Sequence, residues 1–215
     1  MIFKYNISLD NDYHSQVNNR RFPMSSCNTT SAIMALKNNK IDFYSPPSMQ
    51  EEDYLTSLLE TEEAYDKLNK EFPWAVKDGI PPREVHAMLE WAINKLTRNS
   101  YDKFTTYATL EQILYNIAIK KESSLMTGRF TKYGHIVCVS GFITEQDNIE
   151  ETKTINMDKV QKVIIDDPYG NYFTEYKDVH GNNIEINIKD FDSLTKNYSS
   201  KYKWAHIISK DNIKE

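Results

Sequence analysis

A chain of 215 residues, 40% hydrophobic and 27% charged, has globular rather than disordered or fibrous composition and is long enough to bury a full core as one domain. With 26 Lys plus Arg against 31 Asp plus Glu, the net charge is −5 and no long basic block can displace counterions from phosphates, which argues against a nucleic-acid partner. No apolar run reaches membrane-spanning length, the first residues lack the features of a secretory signal, and two cysteines, Cys27 and Cys138, do not make a disulfide framework.

The expectation is therefore a soluble protein with reduced thiols, made without an export signal of its own. In chain order, residues 3 to 22 read as a short strand and a loop closed by Arg20-Arg21-Phe22-Pro23. Ser25-Ser26-Cys27-Asn28-Thr29-Thr30-Ser31 then breaks into Ala32-Ile33-Met34-Ala35-Leu36, which predicts a helix from about Cys27 to Asn38. Residues 50 to 72 form one or two amphipathic helices with Leu55, Leu58, Leu59, Tyr65, Leu68 and Phe72 on the apolar side. The acidic runs Glu51-Glu52-Asp53 and Glu60 to Glu63 read as solvated helix faces.

Gly79-Ile80-Pro81-Pro82 breaks the pattern before a helix carrying Val85, Leu89, Ala92 and Leu96, and a further helical run spans 110 to 119. From about residue 123 the apolar period falls to two. Strands are predicted at 124–127, 135–142, 160–167, 172–176 and 204–208. Helices first and antiparallel strands second indicate an α+β fold.

Cys27 is the leading chemical candidate, because a thiol in the first turn of a helix meets the positive end of the macrodipole and unpaired backbone N–H groups. A thiol nucleophile needs an imidazole, and the imidazole needs a group that orients it. His135 opens one strand and Asp167 closes the next, so antiparallel pairing would make them cross-strand neighbours. A register slip of one residue would substitute Asp166. Pro168 ends the ladder after Asp167 and leaves its side chain at the rim, which favours Asp167. Oxyanion donors could be the Cys27 N–H and the side-chain amide of Gln16.

The ordered set Gln16, Ser26-Cys27-Asn28, Gly134-His135-Ile136-Val137 and Asp167-Pro168-Tyr169-Gly170 resembles the bacteriocin-processing (double-glycine) peptidases and their relatives in the papain-like clan, over roughly residues 5 to 208. The resemblance implies a papain-like α+β fold, with a helical half at about 25–120 packed on an antiparallel sheet half at about 123–209. It also implies Cys27 as nucleophile, His135 as base, Asp167 as its orienting carboxylate and Gln16 in the oxyanion hole, without a cofactor. The processing peptidases are normally fused to a membrane transporter. Stand-alone relatives, several of which cut bacterial cell-wall peptides, are the nearer comparison, so the expected substrate is a peptide or peptidoglycan, as for a phage-type lysin that is released or virion-associated. Two other readings use the same scaffold: a catalytically silent peptide- or protein-binding domain, and a transglutaminase-like acyl transferase.

Cys138, in mid-strand between Val137 and Val139, reads as core. His14, His86, His180 and His206 lack the paired spacing of a zinc site, so no metal is expected. Trp74 and Trp91 read as core or groove-wall aromatics.

Overall fold

In the computed structural model, which describes residues 1–8, 10–75, 80–196 and 201–213, the polar-to-apolar junction at residue 27 starts α1 (Cys27–Asn38). Ala32 to Leu36 of α1 are all 0% exposed. Such all-round burial requires a helix enclosed on every side. α2 (Glu51–Leu59), α4 (Pro82–Thr97) and the sheet provide the enclosure. α3 (Glu62–Glu71) packs against α4 through Ala64, Leu68 and Met88.

Among the described residues the sheet has seven strands, every pairing antiparallel: β1 (Phe3–Asn6), β2 (Asp102–Ala108), β3 (Ser124–Gly128), β4 (His135–Thr144), β5 (Val160–Asp166), β6 (Ile184–Asn187) and β7 (Lys203–Ile208). The order is β2-β7-β3-β4-β5-β6, with β1 paired to the far end of β4. Alternation along β4 divides its side chains between two cores. Ile136 and Cys138 face α1, whereas Val137, Val139 and Phe142 join the opposite core. That second core is covered by α5 (Leu110–Tyr115), which continues as a π-helical turn to Lys120, and by α7 (Ile188–Thr195). A short α6 (Ile149–Thr152) lies in the β4–β5 connection. Among the described residues no helix is long and apolar enough to cross a membrane.

The α+β class holds, but the division into a helical half and a strand half does not. β1 and β2 come from the part of the chain expected to precede the sheet, and α7 lies inside the expected strand region. The strand expected at 172–176 is a helical turn, Tyr172–Thr174. Asn171 takes the Phe173 N–H on its side chain and the Tyr176 N–H on its carbonyl, and Glu175 and Tyr176 have left-handed backbones (φ 54° and 62°) that a strand excludes. Pro82 starts α4 as expected, while Gly79 of the expected break lies outside the described residues. Trp74 is exposed rather than core, and Trp91 is half-buried.

α1 is pinned to the sheet along its length. Ser31 Oγ donates to the Ile136 carbonyl at 3.1 Å, Asn38 Nδ2 donates to Cys138 Sγ at 3.7 Å, and Asn39 Nδ2 donates to the Ile208 carbonyl at 2.7 Å. Each fully buried aliphatic side chain beneath these anchors contributes about 1.5–3 kcal/mol. The N-terminus of α1 is held correspondingly firmly.

Candidate active site

Cys27 and Ser31 are one helical turn apart on one side of α1. Because Ser31 is bonded to Ile136, the first turn of α1 arrives at Ile136 and its neighbour His135. The half-buried Cys27 side chain lies close enough to the His135 ring for the imidazole to lower its thiol pKa. The His135 Nε2 lies 2.6 Å from Asp167 Oδ1, with both side chains buried. That contact commits Nε2 to the carboxylate and leaves Nδ1 as the ring nitrogen on the side of Cys27.

The β4–β5 register explains the reach. Cys138 pairs with Asp166, so Asp167 comes one residue beyond the strand and meets His135 diagonally rather than directly opposite. Asp166 is committed elsewhere. Its Oδ1 accepts the Asn183 N–H at 2.9 Å, and burial raises its carboxyl above the ordinary range.

The electrostatics favour a thiolate–imidazolium pair. Burial alone would raise the Cys27 thiol, but the hydrogen bond and charge of His135, together with the backbone groups of Ile136 and Asn28, bring it below its ordinary value. For His135, burial works against the imidazolium, and the Asp167 and Cys27 partners outweigh it, raising the ring to about 9. Cys138 is fully buried and its thiol is pushed up by desolvation, then by Asp166. It is a core thiol.

The start of α1 is left uncapped. Ser26 makes no side-chain cap, because its hydroxyl takes Asn19 Nδ2 at 2.9 Å instead. Asn19 also donates to Thr30 Oγ1. The Asn28 side chain turns back to the Thr29 N–H. Among the described residues no side chain is bonded to the Cys27 N–H, one of the donors a helix start leaves without an intrahelical partner.

Gln16 is buried next to this machinery. Its backbone N–H donates to the Pro168 carbonyl at 2.8 Å, and its Nε2 donates to the Pro23 carbonyl at 2.9 Å. One of the two amide hydrogens is thus used in tying the loop, and the amide oxygen is buried without a partner among the described residues. The acidic run after Gln50 is not simply a solvated face. Asp53 receives the Arg20 and Arg21 N–H groups at 3.1 and 2.8 Å, fixing the loop between Gln16 and Cys27. Glu52 is buried against His14 at 3.2 Å.

Several positioning residues carry no sequence signal. Tyr13 Oη donates to the Asp167 carbonyl and accepts the Gly181 N–H, each at 3.0 Å. The Asp167 N–H donates to the Gly181 carbonyl at 2.8 Å. A Cβ on Gly181 would stand 2.0 Å from the Asp167 carbonyl oxygen, so only glycine permits this approach. Tyr176 Oη reaches Asp167 Oδ2 at 3.4 Å and the Phe130 carbonyl at 3.2 Å.

His86 and His206 belong to a second buried chain. His206 Nδ1 is 2.6 Å from Asp102 Oδ2, His206 Nε2 is 2.9 Å from His86 Nδ1, and His86 Nε2 is 3.3 Å from Thr127 Oγ1. Phe104 stacks on His86 with ring centroids 4.7 Å apart. Desolvation, reinforced by the charge of His206, lowers His86 to about 3 and keeps it neutral. This chain sews α4 to β2, β7 and β3. The variant His206→Ala would strand the Asp102 carboxylate and leave His86 Nδ1 unpaired, and we expect a loss of about 3–5 kcal/mol in unfolding free energy, read from urea denaturation.

Among the described residues, one cluster has a metal-like donor set, His14, Glu51 and Glu52. The Lys37 ammonium stands 2.6 Å from Glu51 and already supplies the positive charge there. His14 directs Nδ1 at Glu52 and Nε2 at Glu51. His180 lies in the turn before Gly181, with its N–H on Asp178 Oδ1.

No protein-family model matches the chain, and no curated protein matches its sequence.

Proposed function

We propose that the chain is a papain-like cysteine peptidase or amidohydrolase that cleaves peptide bonds through Cys27, His135 and Asp167, with bacterial cell-wall peptides as the substrate class. The single observation carrying this reading is the buried relay from the Asp167 carboxylate through His135 to a thiol at an uncapped helix start. The substrate class rests on the resemblance of the site motifs to stand-alone relatives of the bacteriocin-processing peptidases.

In this mechanism the Cys27 sulfur attacks the scissile carbonyl, and the developing oxyanion is met by the Cys27 N–H and the second amide hydrogen of Gln16. The imidazolium of His135 then gives its proton to the departing amine nitrogen as the tetrahedral adduct collapses to a thioester. Neutral His135 next deprotonates a water molecule, whose attack on the thioester releases the acid and restores the thiolate–imidazolium pair. Asp167 keeps the ring aligned and favours its charged state throughout.

Iodoacetamide at pH 6.5 tests the first requirement. Cys27 should be alkylated on the order of 10-fold or more faster than a free thiol of pKa about 8.5, while Cys138 remains unmodified in the folded protein. Labelling of Cys27 no faster than a free thiol would favour a silent binding domain on the same scaffold.

A further inference from the structure

The relay uses only the edge of a larger feature. Beside His135, on the side formed by the β3–β4 connection and the segment after Asp167, lies an open cavity of about 600 Å³ whose walls include Phe130, Tyr133, Tyr169, Tyr172, Phe173 and Tyr176. The His135 ring packs edgewise against Phe130, Tyr169 and Tyr176, with centroids 6.2–6.3 Å apart. Three walls of the cavity, Phe130, Tyr169 and Tyr176, are thus the direct neighbours of the His135 ring. Tyr169 and Tyr176 hold each other at 4.9 Å, and Phe130 supports Tyr172 at 5.9 Å, so the floor is built of interlocked rings. Tyr133 and Phe173 stand at the rim, 92% and 61% exposed. Large aromatic side chains left in water beside a catalytic group need a reason, because their burial is strongly favourable.

The cavity beside the first turn of α1 is smaller, about 240 Å³, and Phe22 and Leu59 line it together with Ser25, Ser26, Asn28 and Thr29. Acyl transfer assigns the two flanks unequal roles. The leaving amine must take its proton from His135, so the leaving half of the substrate lies against the imidazole and its neighbours, whereas the acyl half stays with the sulfur.

We propose that the aromatic trough beside His135 is the subsite for the leaving half of a peptide substrate, and that it selects large apolar or aromatic residues immediately after the scissile bond. The inference rests on the acyl-transfer reading of Cys27. The trough volume falls in the range of ligand pockets.

Nucleophile partitioning tests this without a known natural substrate. A nitrophenyl ester of a short acyl group acylates Cys27, and amino-acid amides are then offered as acceptors in competition with water. The amide's amino nitrogen occupies the leaving-group position and attacks the thioester. A C–N bond forms, the C–S bond breaks, and the amine proton passes through His135 to the departing sulfur. Phenylalanine amide and leucine amide should be acylated about 10-fold more efficiently than glycine amide or aspartic acid amide. The double variant Tyr133→Ser, Phe173→Ser should flatten the ratio between phenylalanine amide and glycine amide toward unity. That ratio is internal to each preparation and independent of the fraction folded. Acylation of Cys27 with no preference among the amides, or a preference the double variant leaves intact, overturns the subsite alone. Nitrophenolate release no faster than that of the Cys27→Ala variant overturns the acyl-transfer reading itself, and the subsite with it.

Discussion

The variant Cys27→Ala should lose hydrolysis by on the order of 10⁴- to 10⁶-fold while keeping its fold, because the step that forms the thioester has no substitute nucleophile. The measurement is incubation of wild type and variant with purified peptidoglycan and, in parallel, with denatured protein, with products read by mass spectrometry. Products from peptidoglycan alone support the cell-wall class, and products from denatured protein alone redirect the substrate to proteins. Alanine suits a helical first turn, and the side chain removed is only half-buried, so the melting temperature should change by a few degrees at most. Cys138 cannot compensate, because it is fully buried with a raised thiol pKa. Full turnover in the alanine variant would remove Cys27 from the mechanism.

The second large effect is on pH dependence. The competent ion pair exists between the lowered pKa of Cys27 and the raised pKa of His135. Below the first, the thiolate is protonated, and above about 9 the imidazolium that must protonate the leaving amine is lost. The wild-type profile of kcat/KM should therefore be bell-shaped, with its alkaline limb near 9. Asp167 is the chief group opposing the desolvation of His135. The variant Asp167→Asn should pull that limb down toward about 6.5, the ordinary histidine value, and lower the maximum on the order of 10²- to 10⁴-fold.

Stability follows the same sign. A histidine whose folded pKa is raised contributes stability that is complete below its unfolded value near 6.5 and is lost as pH rises through about 9. The melting temperature of wild type should fall across that window, and that of Asp167→Asn should fall less. An unchanged alkaline limb in the asparagine variant would show that Asp167 does not control the ring.

What was legible depended on how local the signal was. The junction of polar and apolar residues at Cys27 marks the start of α1 within a single turn, and the ends of β4 and β5 bracket His135 and Asp167. Those boundaries were enough to suggest that the three side chains could meet. β2 escaped because Asp102 to Ala108 has no alternating apolar pattern, and β6 because its alternation, Ile184-Glu185-Ile186-Asn187, is only four residues long. At 172–176 the aromatic residues have strand propensity, and the Asn171 side chain overrode it by bonding the Phe173 N–H. The acidic residues Glu52 and Asp53 looked like solvent-facing charge, yet they are buried by partners more than thirty positions away.

By itself, the amino-acid order determined the α+β class, the helix that carries the thiol and the residue types able to run thiol acyl transfer, since each follows from short-range periodicity or from the chemistry of one side chain. Only the tertiary structure decided that Asp167 rather than Asp166 meets the imidazole, that Tyr13 and Gly181 clamp its backbone, that His86 and His206 are tied into a buried chain and that aromatic rings wall the flank beside His135. The reason is physical. Strand register, the closeness allowed by a missing Cβ and the meeting of residues over a hundred positions apart depend on how whole elements pack, and no local stretch of chain encodes them.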